Sequence, residues 1–228
     1  MQLILEKNHL MNKFRKIFSM FMNDKLALIS IIFLLFMVFL AIFGPSLISE
    51  SYTKMNLRLR NLEPFSFDQH FMYFFGADAL GRSMIARLIL ATQNTMFIAG
   101  SAVILSMTLG GVLGLISGYY GGRTGNLIMR MADIIMSFPS LLLAVIVLYM
   151  FDPGLLNLVI VLAFTRMPIY MRTARAEVLE IRERLFVSAA ISMGASNLRI
   201  IFYHIAPLTI PTLIRIAKLD FAFVLLGE

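Results

Sequence analysis

Apolar and polar positions in this chain fall into long blocks, not into the short alternation of strands or the striped pattern of a water-facing helix. Leu26–Ile48 contains no charged residue. At 1.5 Å per residue it makes a helix of roughly 34 Å, enough to cross a bilayer. A second uncharged stretch runs from Leu88 to Gly122, and the span it predicts is centred on Met96–Gly118. A third span is expected at about Ile134–Met150, kinked near its start by Pro139. A fourth covers about Leu156–Met171, interrupted by Arg166 and Pro168, with Arg166 snorkelling toward an interface. A fifth starts near Pro207 and is still in progress at Glu228. The pattern predicts an all-α membrane protein, a multi-span helical bundle with about five transmembrane helices.

The polar blocks assign sides. Lys7, Lys13, Arg15, Lys16 and Lys25 precede the first span, which places residues 1–25 in the cytoplasm as an N-terminal segment. The apolar run that follows is too long for the core of a cleaved signal peptide, so it reads as a retained anchor. Residues 49–95 form an external loop, its last part, Arg82–Thr95, a helix at the interface leading into the next span. Tyr119–Arg130 is rich in glycine, carries Arg123 and Arg130, and reads as a short inside loop. The turn at Asp152-Pro153-Gly154 lacks positive residues and lies outside. Arg166, Arg172, Arg175, Arg182, Arg184 and Arg199 then crowd a cytoplasmic loop at about 172–206, within a transmembrane core of 96–228.

Composition agrees. The chain is 59% hydrophobic and 14% charged, with a mean hydropathy of +0.84. Soluble domains average about a quarter charged residues. Its net charge of +7 is dispersed, without the basic face and stacking aromatics that nucleic-acid binding needs, so the excess reports topology. With no cysteine, disulfides and thiol chemistry are excluded, and His9, His70 and His204 lack metal-ligand spacing. No nucleophile motif, zinc motif or phosphate-binding GxxxxGK[ST] is present, which leaves no catalytic residues to name. Glu177, Glu180 and Glu183, beside Arg175, Arg182 and Arg184, read as a solvated helix face with ion pairs at helical spacing.

Three patterns remain. Gly110, Gly114 and Gly118 share one helical face and predict close approach of another helix, either plain packing or a pore-lining contact. Arg215, Lys218 and Asp220 lie in the fifth span, where each charge at mid-bilayer costs about 2.5–3.5 kcal/mol. Lys218 and Asp220 stand two apart and cannot pair on one helix. The readings are an aqueous path lined by this helix, or a span that starts later and leaves Arg215 at the interface. The third pattern is Phe186–Pro207, FVSAAISMGASNLRIIFYHIAP, a water-soluble island between apolar segments. Phe186, Ala189, Ala190 and Met193 follow helical spacing, Gly194 can stop that helix in a left-handed cap, and Asn197–Tyr203 starts a second helix. A short amphipathic helix with small residues on its exposed face is built to dock in a partner's groove.

That island closely resembles the cytoplasmic coupling loop of bacterial ABC importer permeases, with its pattern Glu-Ala-Ala, three residues, Gly, nine residues, Ile-x-Leu-Pro. Ala189, Ala190, Gly194 and Pro207 match; Ser188 stands where Glu is usual, His204 where Ile is and Ala206 where Leu is. The His204-Ile205-x-Pro207 variant looks like the dipeptide, oligopeptide and nickel branch. Phe75–Arg82 resembles the FGTDxxGR signature of that branch, carried by Gly76, Asp78, Gly81 and Arg82. Gly118–Ala144, Met167–Ala190 and Leu219-Asp220 agree with it as well, so the resemblance covers about Leu26 to the end.

The resemblance implies a transport subunit of the bacterial inner membrane, not an enzyme, moving peptides or a similar small solute, or nickel. It would pair with a second permease subunit, two cytoplasmic ATPase subunits and an external solute-binding protein, with membrane lipid around it. ATP and Mg would sit on the ATPases and no cofactor on this chain. The coupling residues carried over are Ser188, Ala189, Ala190, Gly194, Ala195, Arg199 and Pro207. Asp220 becomes a better pathway or packing candidate than Lys218. Family chains continue past the position of Glu228 through an ESALSFLG-like segment and a sixth helix, so a truncated, non-transporting membrane remnant is the alternative.

Overall fold

The computed structural model describes residues 24–48, 52–66, 70–150 and 154–227, and among them regular structure is helical. Lys7, Lys13, Arg15 and Lys16, and the turn residues Asp152 and Pro153, lie outside the described residues. The contacts divide the chain into two units, 1–94 and 95–228.

In the first unit, α1 (Lys25–Phe43) starts where the Asp24 carboxylate accepts hydrogen bonds from the Leu26 and Ala27 amides at 3.1 and 3.2 Å. That side-chain cap satisfies two of the orphan donors of the first turn. Not one residue of α1 is buried, as suits an apolar helix whose solvent is lipid. A 3-10 turn, Gly44–Leu47, extends it to 23 residues of span length. The described part of the loop that follows has single helical turns at Leu57–Leu59 and Phe71–Tyr73, an aromatic cluster of Tyr52, His70 and Tyr73, and an isolated Ala77–Ser83 bridge.

The helix expected at the interface over 82–95 and the second span are one element. It is α2 (Met84–Tyr120), 37 residues with no break at residue 95. From residue 95 onward it forms the spine of the second unit. There α3 (Gly122–Ser137), α4 (Ser140–Met150), α5 (Leu155–Ile181), α6 (Leu185–Ser192) and α7 (Ala206–Gly227) complete the bundle. Buried pairings set the directions. Ile98 clusters with Val159 and Leu115 with Val178, so α5 runs parallel to α2. Val103 clusters with Val224 and Leu115 with Ala206, so α7 runs antiparallel.

The glycine row on α2 meets α5. A Cβ added at Gly110 would lie 2.5 Å from the Met167 carbonyl, at Gly114 2.5 Å from Ala174 Cβ, and at Gly118 2.6 Å from Val178 Cβ. Within this chain the row is a helix-packing seam, the close approach that small residues permit in a membrane.

Among the described residues, four helices are individually long and apolar enough to cross a bilayer: Lys25–Leu47, Met84–Tyr120, Leu155–Ile181 and Asn197–Leu226. The expected third span is instead discontinuous. The inside loop expected at 119–130 is reduced to one non-helical residue, Gly121, and α3 begins at once. That helix stops at Ser137 because Pro139 has no N–H to donate and pushes Phe138 into extended geometry, φ −92° and ψ 134°. After the break α4 has only 11 residues. The fourth helix is longer than expected, 27 residues, and carries Pro168 without interruption because Met167, Tyr170 and Met171 are buried around it. The fifth helix, α7, begins at Ala206, next to the expected Pro207, and the second short helix expected from Asn197 runs into it through a π-helical turn, Ile200–Ile205, where the Ala206 amide donates to the Ile201 carbonyl. This widened turn absorbs the donor missing at Pro207.

Candidate functional site

The segment 186–207 has the shape its sequence implies. α6 ends in a Schellman motif: Ala195 donates to the Ala190 carbonyl at 3.0 Å and Gly194 to the Ile191 carbonyl at 2.9 Å. Gly194 holds φ +78°, the left-handed value that only glycine adopts without penalty. Val187 and Ala190 are buried with Ile200, Ile201 and Ile205, so one face of the segment is core. The other face is bare: Leu185 is 89% exposed, Met193 81% and Leu198 65%. Of the residues carried over from the resemblance, Ser188, Ala189, Gly194, Arg199 and Pro207 are exposed, Ala195 is half-buried and Ala190 points inward. The bare face is therefore more apolar than the small-residue face expected.

Arg175 of α5 and Arg182, at its C-cap, fasten the far end of α2 and the start of α3. Arg175 Nη1 donates to the Gly125 carbonyl at 2.8 Å and to Ser117 Oγ at 3.2 Å, and Ser117 itself donates to Gly125 at 3.0 Å. Arg182 Nη1 donates to the Gly118 carbonyl at 3.2 Å. Sequence spacing showed only a run of positives. Their common target, the carbonyls of a glycine turn, is a tertiary fact. Arg184 pairs with Glu180 at 2.8 Å, an ion pair at the expected helical spacing, whereas Arg182 pairs with its neighbour Glu183 at 3.0 Å. Tyr119 donates to Asn197 Oδ1 at 2.9 Å, tying the end of α2 to the helix that leads into α7.

In the first unit, the residues of the FGTDxxGR-like signature build one loop. Asp78 Oδ1 accepts from the Leu80 and Arg82 amides, both at 2.9 Å, while Oδ2 meets Arg82 Nε at 2.8 Å and Arg87 Nη1 at 2.9 Å. The Arg82 amide first, then its guanidinium and the Leu80 amide, hold the Asp78 carboxyl at about 2, well below the usual carboxylate range. Gly81, at φ +75°, sits so close to the Asn56 backbone that no side chain fits. Gly76 is packed likewise against the Leu62 carbonyl. This is a loop-folding core that presents no free donor set.

In the second unit, Asp220 is buried, 4% exposed, and accepts a 3.0 Å hydrogen bond from the Tyr170 hydroxyl. Arg166 Nε stands 3.5 Å from its other oxygen. Arg166 thus turns its Nε to α7. The signal that could have found this pair was present: two opposite charges in two different apolar spans are cheapest facing one another. Lys218 is exposed, on a different face from Asp220, and Arg215 donates only to the Pro211 carbonyl and Thr212 Oγ1, each at 3.4 Å. Beside Arg166 lies a cavity of about 190 Å³ lined by Ile135, Met136, Phe138, Thr165 and Arg166. Among the described residues no three His, Cys, Asp or Glu side chains come together as a metal site.

Comparison with known proteins places these features. Residues 110–228 match the model of the binding-protein-dependent transport system inner membrane component. Residues 13–64 match the N-terminal transmembrane domain of oligopeptide transport permease C. The dipeptide transport system permease protein of Alkalihalophilus pseudofirmus is 35% identical over 93% of this chain and 68% of its own length. The oligopeptide transport system permease protein of Bacillus subtilis is 33% identical over 85% and 66%. For the nickel transport system permease protein of Escherichia coli the figures are 34%, 68% and 56%. The chain spans about two thirds of the length of the peptide permeases it matches, and just over half of the nickel one.

Proposed function

The chain belongs to the family of inner membrane components of binding-protein-dependent transport systems, and we propose that it is a permease subunit of an ATP-driven importer of peptides or a similar small solute. Its relatives are transport permeases named for dipeptides, oligopeptides and nickel. In this reading a second permease subunit completes the path, two ATPase subunits bind in the cytoplasm, and an external binding protein delivers the solute. ATP and Mg belong to the ATPases. The basic residues ahead of α1 put the N-terminus in the cytoplasm, and the chain crosses the bacterial inner membrane several times.

The observation that carries the coupling role is the two-faced segment 186–207. Its inner face is locked to the bundle by Val187, Ala190, Ile200 and Ile201, and its outer face leaves Leu185, Met193 and Leu198 bare. A short helix fixed on one side and apolar on the other is a knob for a partner's groove. Because the helical run from Asn197, packed on α6 through Ile200 and Ile201, leads into α7, force on the knob reaches a spanning helix. Ser188, in place of the usual Glu, leaves that docking to shape and apolar contact. The arginine clasps at Gly118 and Gly125 tie α2 and α3 to the same end of α5. Asp220 and Lys218 are the pathway groups of this reading, Asp220 through Arg166 and Lys218 from an exposed face.

The test is co-purification of the full chain with candidate ATPase and permease partners, followed by uptake of a labelled dipeptide with the matching binding protein. Association and ATP-dependent uptake are expected. Failure to associate with any ATPase subunit would remove the reading.

A further inference from the structure

The charged group in the middle of α5 has a geometry that helix packing leaves unexplained. Arg166 lies 11 residues into α5, roughly 17 Å along it at 1.5 Å per residue, in the middle part of a helix long and apolar enough to cross a bilayer. A guanidinium there is costly and needs a partner or water. Asp220 supplies the partner only in part: its contact is a single 3.5 Å approach to Nε, and its other oxygen is taken by Tyr170. Arginine and carboxylate joined for their own sake adopt the two-pronged fork. Here the fork is unused. Arg166 donates no hydrogen bond among the described residues, its side chain is 33% exposed, and it lines the 190 Å³ cavity.

The opposite wall of that cavity is the break between α3 and α4. Ile135, Met136 and Phe138 line it, and Phe138 is extended. Non-helical backbone at membrane depth persists where it is covered by protein or lines a wet cavity. Two unrelated costs, an ionised side chain and an interrupted helix, therefore meet at one small space. We propose that this space is a solute subsite in which Arg166, held at its Nε by Asp220, receives a carboxylate, the C-terminal carboxylate of a peptide passing through the path. The planar fork matches a carboxylate by two parallel hydrogen bonds. Its size suits a terminal residue, with Phe138 and Ile135 as apolar walls and Thr165 beside the charge. A free divalent cation is the wrong guest: the cavity presents a positive charge, and no acidic or imidazole cluster stands among the described residues. The proposal rests on the importer reading and narrows its solute to one bearing a carboxylate.

The experiment uses the assembled transporter in nanodiscs without its binding protein, and saturation-transfer NMR with trialanine and trialanine amide as probes. Wild-type complex should saturate trialanine more strongly than its amide. The double variant Arg166→Gln/Asp220→Asn, which removes both charges together and leaves neither stranded, should abolish that difference and, in sealed proteoliposomes supplied with the binding protein, lower trialanine uptake by about tenfold or more, the scale of losing charge-assisted hydrogen bonds. Equal saturation in the wild type, or a preference that persists in the double variant, overturns the subsite. Should the double variant not assemble, Arg166→Lys decides: it keeps the charge, loses the fork and should shrink the preference, and an unchanged preference overturns the proposal. If wild-type complex takes up no peptide at all while the NMR preference is present, the importer reading fails and the carboxylate site stands.

Discussion

Tyr170 on α5 reaches across to Asp220 on α7 with a 3.0 Å hydrogen bond, joining two spanning helices through a carboxylate that is 4% exposed. Tyr170 is itself fully buried against Gly110 of α2, so one side chain sits where three helices meet. Tyr170→Phe keeps the packing and removes the donor. The loss expected is about 1–2 kcal/mol of stability, the range for a hydrogen bond to a charged group in a membrane bundle. Thermal unfolding of the purified chain in detergent measures it, and an unchanged midpoint would deny the bond any weight.

The glycine seam makes a graded prediction. Gly114→Leu drives a side chain into Ala174 and the Met171 carbonyl and should destabilise by about 1–3 kcal/mol. Gly100 stands on the same helix with nothing near its Cβ position. Gly100→Ala should be neutral or stabilise by up to about 1 kcal/mol, through the entropy glycine loses in a helix. A thermal shift assay compares the two, and equal effects would argue against a tight α2–α5 contact.

Asp78 predicts a pH response confined to the loop of residues 52–83. Its carboxyl is held at about 2 in the folded loop, and an unfolded aspartate titrates near 3.9, so the charged form is favoured by folding. The stabilisation is complete above roughly pH 4 and disappears as pH falls toward 2. Asp78→Asn should loosen the loop at neutral pH and flatten that response. Limited proteolysis of residues 52–83 across the acidic range shows it, and matching profiles for wild type and variant would count against it.

Arg175→Ala should release the glycine turn. Amide exchange at 118–126 is expected to rise, and Arg175→Lys should not restore protection, because an ammonium cannot span Gly125, Ser117 and Asn126 as the guanidinium does. Unchanged exchange would reduce the clasp to a surface contact.

Gly194→Arg tests the docking knob. The site has open space around it but φ +78°, so the new residue is strained by about 1–2 kcal/mol and projects a charge from the Schellman turn. Insertion should persist while uptake and ATPase association fall. Normal uptake with normal association would refute docking at this face.

Hydropathy and punctuation made the spans legible: α1 and α2 stand where uncharged stretches are long enough to cross, and α5 and the last helix where apolar stretches hold few charges. The left-handed stop at Gly194 was legible too, because a single glycine after an apolar-periodic turn has few other uses. Boundaries fared worse wherever glycine or proline was the guide. Residues 122–125 are helical despite Gly122 and Gly125, since Arg175 and Ser117 satisfy the Gly125 carbonyl. Pro168 lies within a helix whose burial outweighs its missing donor, whereas Pro139 ends one. The same residue type gives opposite outcomes because the packing around it differs.

Chain order alone determined that this is an all-helical membrane chain, that its charges gather between spans, and that a short capped helix stands between the fourth and fifth. Those properties follow from transfer free energy and local backbone preference, which act on neighbouring residues. Only the tertiary structure decided which intramembrane charges meet. Arg166 and Asp220 are 54 positions apart in sequence, and the parallel run of α5 along α2, with α7 antiparallel, brings them to one level. Helix direction and depth are collective results of packing, set here by the glycine seam, and no local pattern encodes them.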